Sequence, residues 1–189
     1  MGFPNGIRRI ILTGFMGAGK STIGALLAAR LGWEFVDLDA VIESRAGKTV
    51  AQIFADEGEA AFRALESETI REQAERDDRV IAPGGGAIEA ASTRELFAGL
   101  EQTCVVFLDA PLEVLIERCL AQPHAAERPV LARREDLARR FEARLPHYRM
   151  AHVSLATAGL SPQETVDRVL NAIAKRGVVL REKAVRSDE

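Results

Sequence analysis

The chain has 189 residues, of which 47% are apolar and 28% are charged, and its net charge is -3. This length suits one domain and is short for two, and the small net charge gives no overall attraction to nucleic acid or anionic membranes. We therefore expect a single soluble domain over 1–189, with a core from about 8 to 175 and a charged tail over 176–189.

The cysteines and the amino end bear on the compartment. Cys104 and Cys119 have no His or Asp neighbours at metal-ligand spacing, so we predict neither a disulfide framework nor a zinc site. The amino end, MGFPNG, lacks the apolar core of a signal peptide, and Gly6 stands where a myristoylation signal needs Ser or Thr. No apolar stretch approaches the ~20 residues that cross a bilayer. We expect a cytoplasmic protein.

Short apolar runs alternate with longer amphipathic runs along the whole chain. This alternation is typical of an α/β domain with a parallel sheet and helices packed on its faces. The predicted strands are Arg9–Thr13, Glu34–Leu38, Arg79–Ala82, Cys104–Leu108 and His152–Ala156.

Apolar spacing, capping residues and prolines predict the helices. By contrast, the segment "AQPHAAERPVLA" has two prolines and no clean period, which predicts an exposed loop of the length used for active-site lids. The predicted helices are Lys20–Leu31, a short one capped by Thr49, about Gly58–Glu75, one beginning at Pro111, Arg134 to about Tyr148, and one capped by Ser161.

The stretch "LTGFMGAGKST" carries the most specific local motif. Gly14, Gly19, Lys20 and Ser21 match G-x-x-x-x-G-K-[ST], between a predicted strand and a predicted helix. Glycines let backbone N–H groups turn toward a polyphosphate, and the helix amino terminus adds partial positive charge. We expect Lys20 to reach the β and γ phosphates and Ser21 to offer its hydroxyl to magnesium. The alternative is a turn that merely connects strand and helix.

A phosphate loop alone is compatible with kinases, GTPases, motors and ATP-driven switches. The chain has no N-K-x-D guanine-binding motif, which argues against a GTPase. It is short for a helicase or transport motor, and its third strand ends in "APGGGA" rather than in an acidic pair. The other residues must therefore identify what accepts the phosphate.

Two carboxylates stand at the end of the second predicted strand, in "VDLDA". Side chains two apart on a strand point the same way, so Asp37 and Asp39 can face the cleft beyond the strand's carboxyl end. One can support a magnesium shell through water, and the other can accept a hydrogen bond from a substrate hydroxyl. The alternative is that Asp39 simply caps the next helix.

Three consecutive glycines, Gly84–Gly86, follow the third predicted strand. Close approach of a ligand or a metal-bound water to the backbone explains them, and a flexible loop is the alternative. Among the 25 basic residues, four arginines lie in distinctive local sequences, although any single one is more often a solvated helix charge. They are Arg63, Arg118, Arg128 and Arg144.

From about Arg8 to Lys175 the chain resembles the shikimate kinases, because "GFMGAGKST", "DLD", "FRALE", "GGGA", "RPVL" and "RLPHYR" occur in that family's order and approximate spacing. The resemblance implies ATP-dependent phosphorylation of the 3-hydroxyl of shikimate, in the chorismate pathway to the aromatic amino acids. It also implies a nucleoside-monophosphate-kinase fold, a three-layer P-loop architecture with a five-stranded parallel sheet in order 2-3-1-4-5. The mobile lid is expected at about 121–132.

The same resemblance assigns roles to individual residues. It implies that Asp39 binds the shikimate hydroxyls and is the candidate base, that Arg63 and Arg144 grip the carboxylate, and that Gly85 offers its backbone N–H. Arg128 resembles the lid arginine that moves onto the γ-phosphate, and Arg118 resembles the arginine that lies against adenine. The residues implied to hold the ATP phosphates are Gly17, Ala18, Gly19, Lys20, Ser21 and Thr22, with Ser21 on Mg2+ and Asp37 behind it.

Two features depart from the family pattern. The lid segment is a few residues longer than in many members, and "SLATAGLSP" lacks an arginine that some members place against the nucleotide. We therefore expect Ala158 and its neighbours to contact adenine through the backbone. The expected partner is shikimate, with no nucleic acid and no membrane, and we expect a monomer. A related small-molecule kinase, such as a gluconate kinase, and a nucleotide-dependent regulatory module remain alternatives.

Overall fold

The structure, a computed structural model, describes residues 6–121 and 134–176. Within these residues five strands form one parallel sheet in the order β2-β3-β1-β4-β5, which confirms the predicted order 2-3-1-4-5. The strands are β1 Arg9–Thr13, β2 Glu34–Asp37, β3 Arg79–Ala82, β4 Thr103–Asp109 and β5 Val153–Ala156.

Helices flank the sheet, and their ends follow the capping signals in the sequence. Thr49 and Ser161 each form a capping box with the residue three positions on, Gln52 and Glu164, so both predicted helix starts are confirmed. The helices are α1 Lys20–Leu31, α2 Leu38–Ala46, α3 Val50–Ala74, α4 Ala91–Gly99, α5 Leu112–Leu120, α6 Arg134–Tyr148 and α7 Pro162–Lys175, and a 3-10 turn covers Ala87–Glu89.

The long helix α3 is two helices joined at a kink. Gly58 has φ 85° and ψ 170° inside it, so the backbone leaves the helical conformation at the residue where the sequence predicts a second helix to begin. The prediction of a short helix after Thr49 and a longer one from Gly58 is therefore confirmed. The longer part carries the buried side of α3, including Phe62, Glu66 and Ile70.

Two helices were not among the predicted elements. Helix α2 begins directly after β2, so Leu38 is helical and the predicted strand is one residue too long. Asp37 caps α2 by accepting a hydrogen bond from the Ala40 N–H at 3.5 Å, so the idea that Asp39 is the cap is wrong. Helix α4 escaped prediction because only Thr93 and Phe97 of its nine residues are buried.

The core lies around the central strands. All five residues of β1 are buried, as are six of the seven residues of β4. A parallel sheet covered on both faces has this continuous apolar character, and it leaves the carboxyl ends of its strands as the place for a ligand. Beyond the carboxyl ends of β1, β2 and β3 lie the glycine-rich loop before α1, the start of α2 and the glycines Gly84–Gly86.

Several expectations fall on residues outside the described ranges. Only Ala121 of the expected lid 121–132 and only Arg176 of the expected tail 176–189 are described, and Arg128 lies outside. Across 6–121 and 134–176, no helix combines the length and the apolar character needed to cross a membrane.

Candidate active site

The loop between β1 and α1 opens the amino end of α1 toward the cleft. Gly19 caps this helix in the left-handed conformation, with φ 87° and ψ 17°. At Gly17, where φ is 75°, an added Cβ would collide with the carbonyl oxygen of Leu115 in α5. The loop therefore packs directly on α5, and only glycine fits at this point. Its backbone N–H groups at the helix amino terminus form an anion-binding site.

Lys20 lies in the first turn of α1 and folds back onto this loop. Its Nζ donates hydrogen bonds to the carbonyl oxygens of Gly14, at 2.8 Å, and Phe15, at 3.3 Å. Burial lowers the pKa of Lys20 to about 8, against the opposing effect of the Asp39 and Asp37 carboxylates. The ammonium is thus mostly protonated at neutral pH, and a bound phosphate would stabilise this form further.

The Ser21 hydroxyl and the Asp37 carboxylate, two groups whose oxygens ligate metals, lie together beside the loop. The Ser21 hydroxyl donates to Asp37 Oδ2 at 2.8 Å, which joins the start of α1 to the end of β2. No cluster of three or more His, Cys, Asp or Glu side chains suited to a metal occurs in the described part of the chain. Hydroxyl and carboxylate oxygens are the kind of ligand that suits a magnesium ion with few protein ligands and a shell completed by phosphates and water.

Asp39 faces the same cleft from the first turn of α2. Its Oδ1 is buried and has no hydrogen-bond partner among the described residues. Burial raises the pKa of Asp39, the nearby Asp37 carboxylate raises it further, and Lys20 opposes both effects. A buried acceptor without a partner is unfavourable, so this oxygen is suited to accept a hydrogen bond from a ligand hydroxyl.

Glu66 is a second buried carboxyl, close to Asp39, and no local sequence pattern distinguishes it. A Cβ built on Gly84 would lie 2.9 Å from Glu66 Oε1 and 3.0 Å from Asp39 Oδ1, so the two carboxyls approach the same side of this glycine. Glu66 Oε1 is also buried without a partner within the described residues. Burial raises the pKa of Glu66 to about 7, even though Arg63 lowers it.

Arg63 lies one helical turn before Glu66 on α3. Its Nη1 donates to Glu66 Oε2 at 2.6 Å, and its Nη2 donates to Glu59 Oε1 at 3.3 Å. The guanidinium packs against the glycines after β3 so closely that a Cβ on Gly86 would collide with it. Gly86 has φ −91°, which any residue can adopt, so this glycine is required for the close approach of Arg63.

Arg144 approaches the same glycines from α6. Its Nε donates to Glu89 Oε1, and its guanidinium lies over the ring of Phe15 at 5.5 Å. One turn further along α6, the Tyr148 hydroxyl donates to the Gly85 carbonyl oxygen at 2.5 Å. Helix α6 is therefore fixed at Gly85 by Tyr148 and at Glu89 by Arg144. Arg144 also contacts Phe15 of the P-loop, the loop of residues 14–19 between β1 and α1.

A second cavity lies on the other side of the P-loop. Arg118 of α5 enters it and donates to the Thr157 carbonyl oxygen at 2.7 Å and to the Thr157 hydroxyl at 3.2 Å. Thr157 follows β5 and is 2% exposed. The cavity lining includes Gly17, Gly19, Thr22, Arg118, Thr157 and Leu160.

The structure thus brings most of the sequence-predicted residues together. Arg63 packs against Gly86, and Arg144 pairs with Glu89 in the turn that follows the glycines. Arg118 lies in the second cavity, which shares Gly17, Gly19 and Thr22 with the main cleft. Glu66, Glu89 and Thr157 were missed, because only their tertiary contacts distinguish them from other helix and loop residues. The predicted residues that line the main cleft are Gly17, Gly19, Lys20, Ser21, Thr22, Asp37, Asp39 and Gly85.

A phosphate loop opening α1, a 2-3-1-4-5 parallel sheet and a cleft with basic and acidic groups together define a P-loop protein of the nucleoside-monophosphate-kinase-like fold. The family model described as shikimate kinase matches residues 16–174. The shikimate kinase of Geobacter sulfurreducens is 44% identical over 172 residues, which cover 89% of this chain and 92% of that protein. The chain belongs to the shikimate kinase family.

Solved structures agree with this assignment. The chain is similar to the shikimate kinase from Acinetobacter baumannii in complex with shikimate, with a TM-score of 0.83 and 34% identity over 92% of this chain and 96% of that one. A gluconokinase from Sinorhizobium meliloti has a TM-score of 0.59 at 22% identity, over 93% and 94% of the two chains. The second likeness shows a shared fold and no more.

Proposed function

We propose that the chain transfers the γ-phosphate of ATP to the 3-hydroxyl of shikimate. The observation that carries this proposal is the pair of arginines around one segment: Arg63 packs against Gly86, and Arg144 pairs with Glu89 three residues on. The unpartnered Oδ1 of Asp39 approaches Gly84 of the same segment. Guanidinium groups bind a carboxylate through paired hydrogen bonds, and a carboxylate accepts hydrogen bonds from hydroxyls. This end of the cleft thus suits a small anion that carries several hydroxyls, as shikimate does.

On the donor side, we propose that Gly17, Ala18, Gly19, Ser21 and Thr22 hold the ATP phosphates through the open start of α1. Lys20 exchanges its hydrogen bonds to the loop carbonyls for bonds to the β and γ phosphates. Its positive charge then lies where negative charge develops during transfer. Because its pKa is about 8 before any phosphate is bound, it enters this exchange mostly protonated at neutral pH.

On the acceptor side, we propose that Arg63 and Arg144 fix the carboxylate while the Gly85 N–H and Asp39 fix the rest of the molecule. Asp39 accepts the hydrogen bond of the reacting hydroxyl and takes its proton as the phosphoryl group is transferred. The raised pKa of Asp39, caused first by burial, makes the carboxylate a better proton acceptor. The hydroxyl oxygen, positioned beside Asp39, is then the nucleophile.

We propose that Ser21 holds Mg2+ directly and that Asp37 holds it through water. Bound magnesium would neutralise part of the phosphate charge during transfer. The Ser21–Asp37 oxygen pair at 2.8 Å supports this assignment.

The nucleotide base and the lid complete the proposal. Arg118 and Thr157 lie in the second cavity, and we propose that adenine binds there against the guanidinium of Arg118. Arg128 lies outside the described residues, and its contact with the γ-phosphate stays a prediction. We also propose that the chain acts as a single-domain monomer and binds neither nucleic acid nor membranes, in keeping with a net charge of -3. Size-exclusion chromatography with light scattering tests the monomer.

A coupled assay of ADP formation tests the proposed reaction. Purified protein is incubated with ATP and magnesium, and with shikimate, gluconate or a nucleoside monophosphate as acceptor. We expect shikimate alone to raise ADP formation by at least about 10²-fold over the background hydrolysis, since a positioned acceptor displaces water in the cleft. Phosphorus NMR of the product should show the phosphate on the 3-hydroxyl, and EDTA should stop the reaction until magnesium is added back.

Other results would favour the alternatives. Stimulation by gluconate instead of shikimate would indicate the related small-molecule kinase. ATP binding without turnover for any acceptor would indicate a regulatory module. Either result contradicts the proposed reaction.

A further inference from the structure

The Glu89 side chain makes a contact that the proposed reaction does not yet use. Glu89 ends the 3-10 turn Ala87–Glu89, which follows directly on Gly84–Gly86. Its Oε1 accepts a hydrogen bond from Arg144 Nε, between side chains that are 42% and 12% exposed. An arginine assigned to the substrate carboxylate therefore already has a carboxylate partner from the protein.

The backbone of Glu89 is held firmly with respect to the glycines. Its N–H donates to the Gly86 carbonyl oxygen at 3.0 Å. Arg94 of α4 donates from Nη1 to the carbonyl oxygens of Ile88, at 2.8 Å, and Glu89, at 2.6 Å. The carboxyl end of the 3-10 turn is thus closed by a guanidinium. Helix α4, the turn and the glycine segment form one connected support for the Glu89 side chain.

Glu89 uses only one edge of the Arg144 guanidinium. A guanidinium has five N–H donors in a planar fork, and the two terminal nitrogens together match the two oxygens of a carboxylate. Glu89 bonds only to Nε, so the Nη1 and Nη2 donors that the neighbouring Tyr148 hydroxyl does not use stay available to a ligand carboxylate. The ring of Phe15, with its centroid 5.5 Å from the guanidinium carbon, supports one face of the group.

We propose that Glu89 is a positioning residue that orders Arg144 before the substrate arrives, with its Nη1/Nη2 edge turned to the substrate carboxylate. An arginine side chain otherwise loses much rotamer freedom when it binds, which weakens the complex. Because the hydrogen bond to Glu89 already restricts the Arg144 side chain before binding, Arg144 loses less rotamer freedom when the substrate binds. The inference rests on the proposed function, because it assigns a role within the same carboxylate site.

The opposite effect, in which Glu89 competes with the substrate for Arg144, is the smaller one. The Glu89 side chain is 42% exposed, so water and salt screen the repulsion between its charge and an incoming carboxylate. The hydrogen bond to Nε is directional and uses neither Nη1 nor Nη2. Ordering should therefore outweigh repulsion.

The test compares Glu89→Ala, Glu89→Gln and the control Glu95→Ala. Glu95 lies exposed on α4, so its replacement removes the same charge from the same region without touching the site. We expect Glu89→Ala to raise the KM for shikimate about tenfold, with kcat and the KM for ATP within about twofold of wild type. Glu89→Gln should stay within about threefold, because its amide oxygen can accept from Arg144 Nε. Glu95→Ala should behave as wild type.

A substrate without a charged carboxylate provides the second readout. The methyl ester of shikimate cannot pair with Arg144 through two charged oxygens, so Glu89→Ala should change its KM by less than about twofold. Thermal unfolding of each variant checks that the fold is kept. A general structural defect would affect the ester and the acid alike, which a positioning role does not.

Several results would overturn the inference. An unchanged or lower KM for shikimate in Glu89→Ala would do so, and so would equal losses in the Ala and Gln variants or an undiminished loss with the ester. If the wild-type protein binds shikimate but does not phosphorylate it, the proposed function fails, while calorimetric affinities of the same variants still test Glu89. If it neither binds nor phosphorylates shikimate, both fail.

Discussion

The two sides of the main cleft differ in how they would bind the ligands of the proposed reaction. The phosphate wall, residues 14–22, offers mainly backbone N–H groups at the start of α1, with Lys20 as its charged side chain. The acceptor wall consists of side chains from α2, α3 and α6 around Gly84–Gly86. One wall is a single local motif, and the other exists only after distant parts of the chain have come together.

The difference between the walls corresponds to the chemistry of the two proposed ligands, a polyphosphate and shikimate. A polyphosphate presents many equivalent oxygens, so a loop of backbone donors suffices to bind it. Shikimate presents one carboxylate and several hydroxyls, so its recognition requires side chains of both charges in fixed positions. On the acceptor wall these charges are already paired within the protein, Arg63 with Glu66 and Arg144 with Glu89.

The largest effect is expected from Lys20→Met on the phosphate wall. The change removes a positive charge where negative charge develops, and we expect kcat to fall about 10³-fold, while the KM for shikimate stays within about threefold. Steady-state kinetics with each substrate varied in turn measures both values. Lys175→Met, at an exposed position near the end of α7, is the matched control and should keep wild-type kinetics. A kcat within tenfold of wild type would contradict the assignment.

Asp39→Asn should have the next largest effect, because the amide keeps a hydrogen-bond acceptor but cannot take a proton. We expect kcat to fall about 10²-fold, with calorimetric affinity for shikimate nearly unchanged. Asp167→Asn replaces an exposed aspartate on α7 and should leave both values as in wild type. A near-normal kcat for Asp39→Asn would show that Asp39 does not act as the base.

Gly86→Ala tests the packing of Arg63 without removing any charge. The new methyl group would push the guanidinium away from the glycines, so we expect the KM for shikimate to rise about tenfold and the KM for ATP to stay within twofold. Gly99→Ala is the control, since a Cβ there meets nothing within 4 Å at the end of α4. That variant should be as active as wild type, and a parallel rise of both KM values in Gly86→Ala would argue against a role confined to the acceptor wall.

The raised pKa of Glu66 predicts that the stability of the fold depends on pH. The unfolded chain releases this proton near pH 4.5, whereas burial raises the pKa in the folded protein to about 7. The folded protein binds more protons between these values, so the free energy of unfolding should fall as pH rises from about 4.5 to 7, by on the order of 3 kcal/mol. Asp39, whose pKa is also raised, contributes a slope of the same sign, so Glu66→Gln should remove only the Glu66 contribution in denaturant titrations. Glu68→Gln, exposed on the same helix, should keep it. Identical slopes for wild type and Glu66→Gln would refute the buried protonated carboxyl.

Sequence alone predicted the strand and the helix around the phosphate wall with the bounds that the structure has, because motif, strand and helix are contiguous there and each has a strong local signal. The acceptor wall was different. Arg63 and Arg144 could be singled out only through the resemblance to a family, since a helix arginine is usually a solvated charge. Asp39 was expected at the cleft, just beyond the predicted strand Glu34–Leu38, and it lies in the first turn of α2, which Asp37 caps.

The residues that sequence reasoning missed share one property. The functions of Glu66, Glu89 and Thr157 depend on what they contact: the space beside Gly84, the Nε of Arg144 and the guanidinium of Arg118. No local pattern encodes such contacts, because each joins segments that are far apart in the sequence. Helix α4 was missed for a related reason, since it presents little apolar periodicity and is defined by its packing.

Calorimetry on two variants tests most directly whether one wall of the cleft binds the nucleotide and the other binds shikimate. A non-hydrolysable ATP analogue with magnesium and, separately, shikimate are titrated into wild type, Lys20→Met and Arg63→Ala. We predict that Lys20→Met loses at least about tenfold in affinity for the analogue and keeps its shikimate affinity within threefold. Arg63→Ala should do the reverse, with a loss of about 30-fold or more for shikimate. Comparable losses of both ligands in each variant would contradict the account.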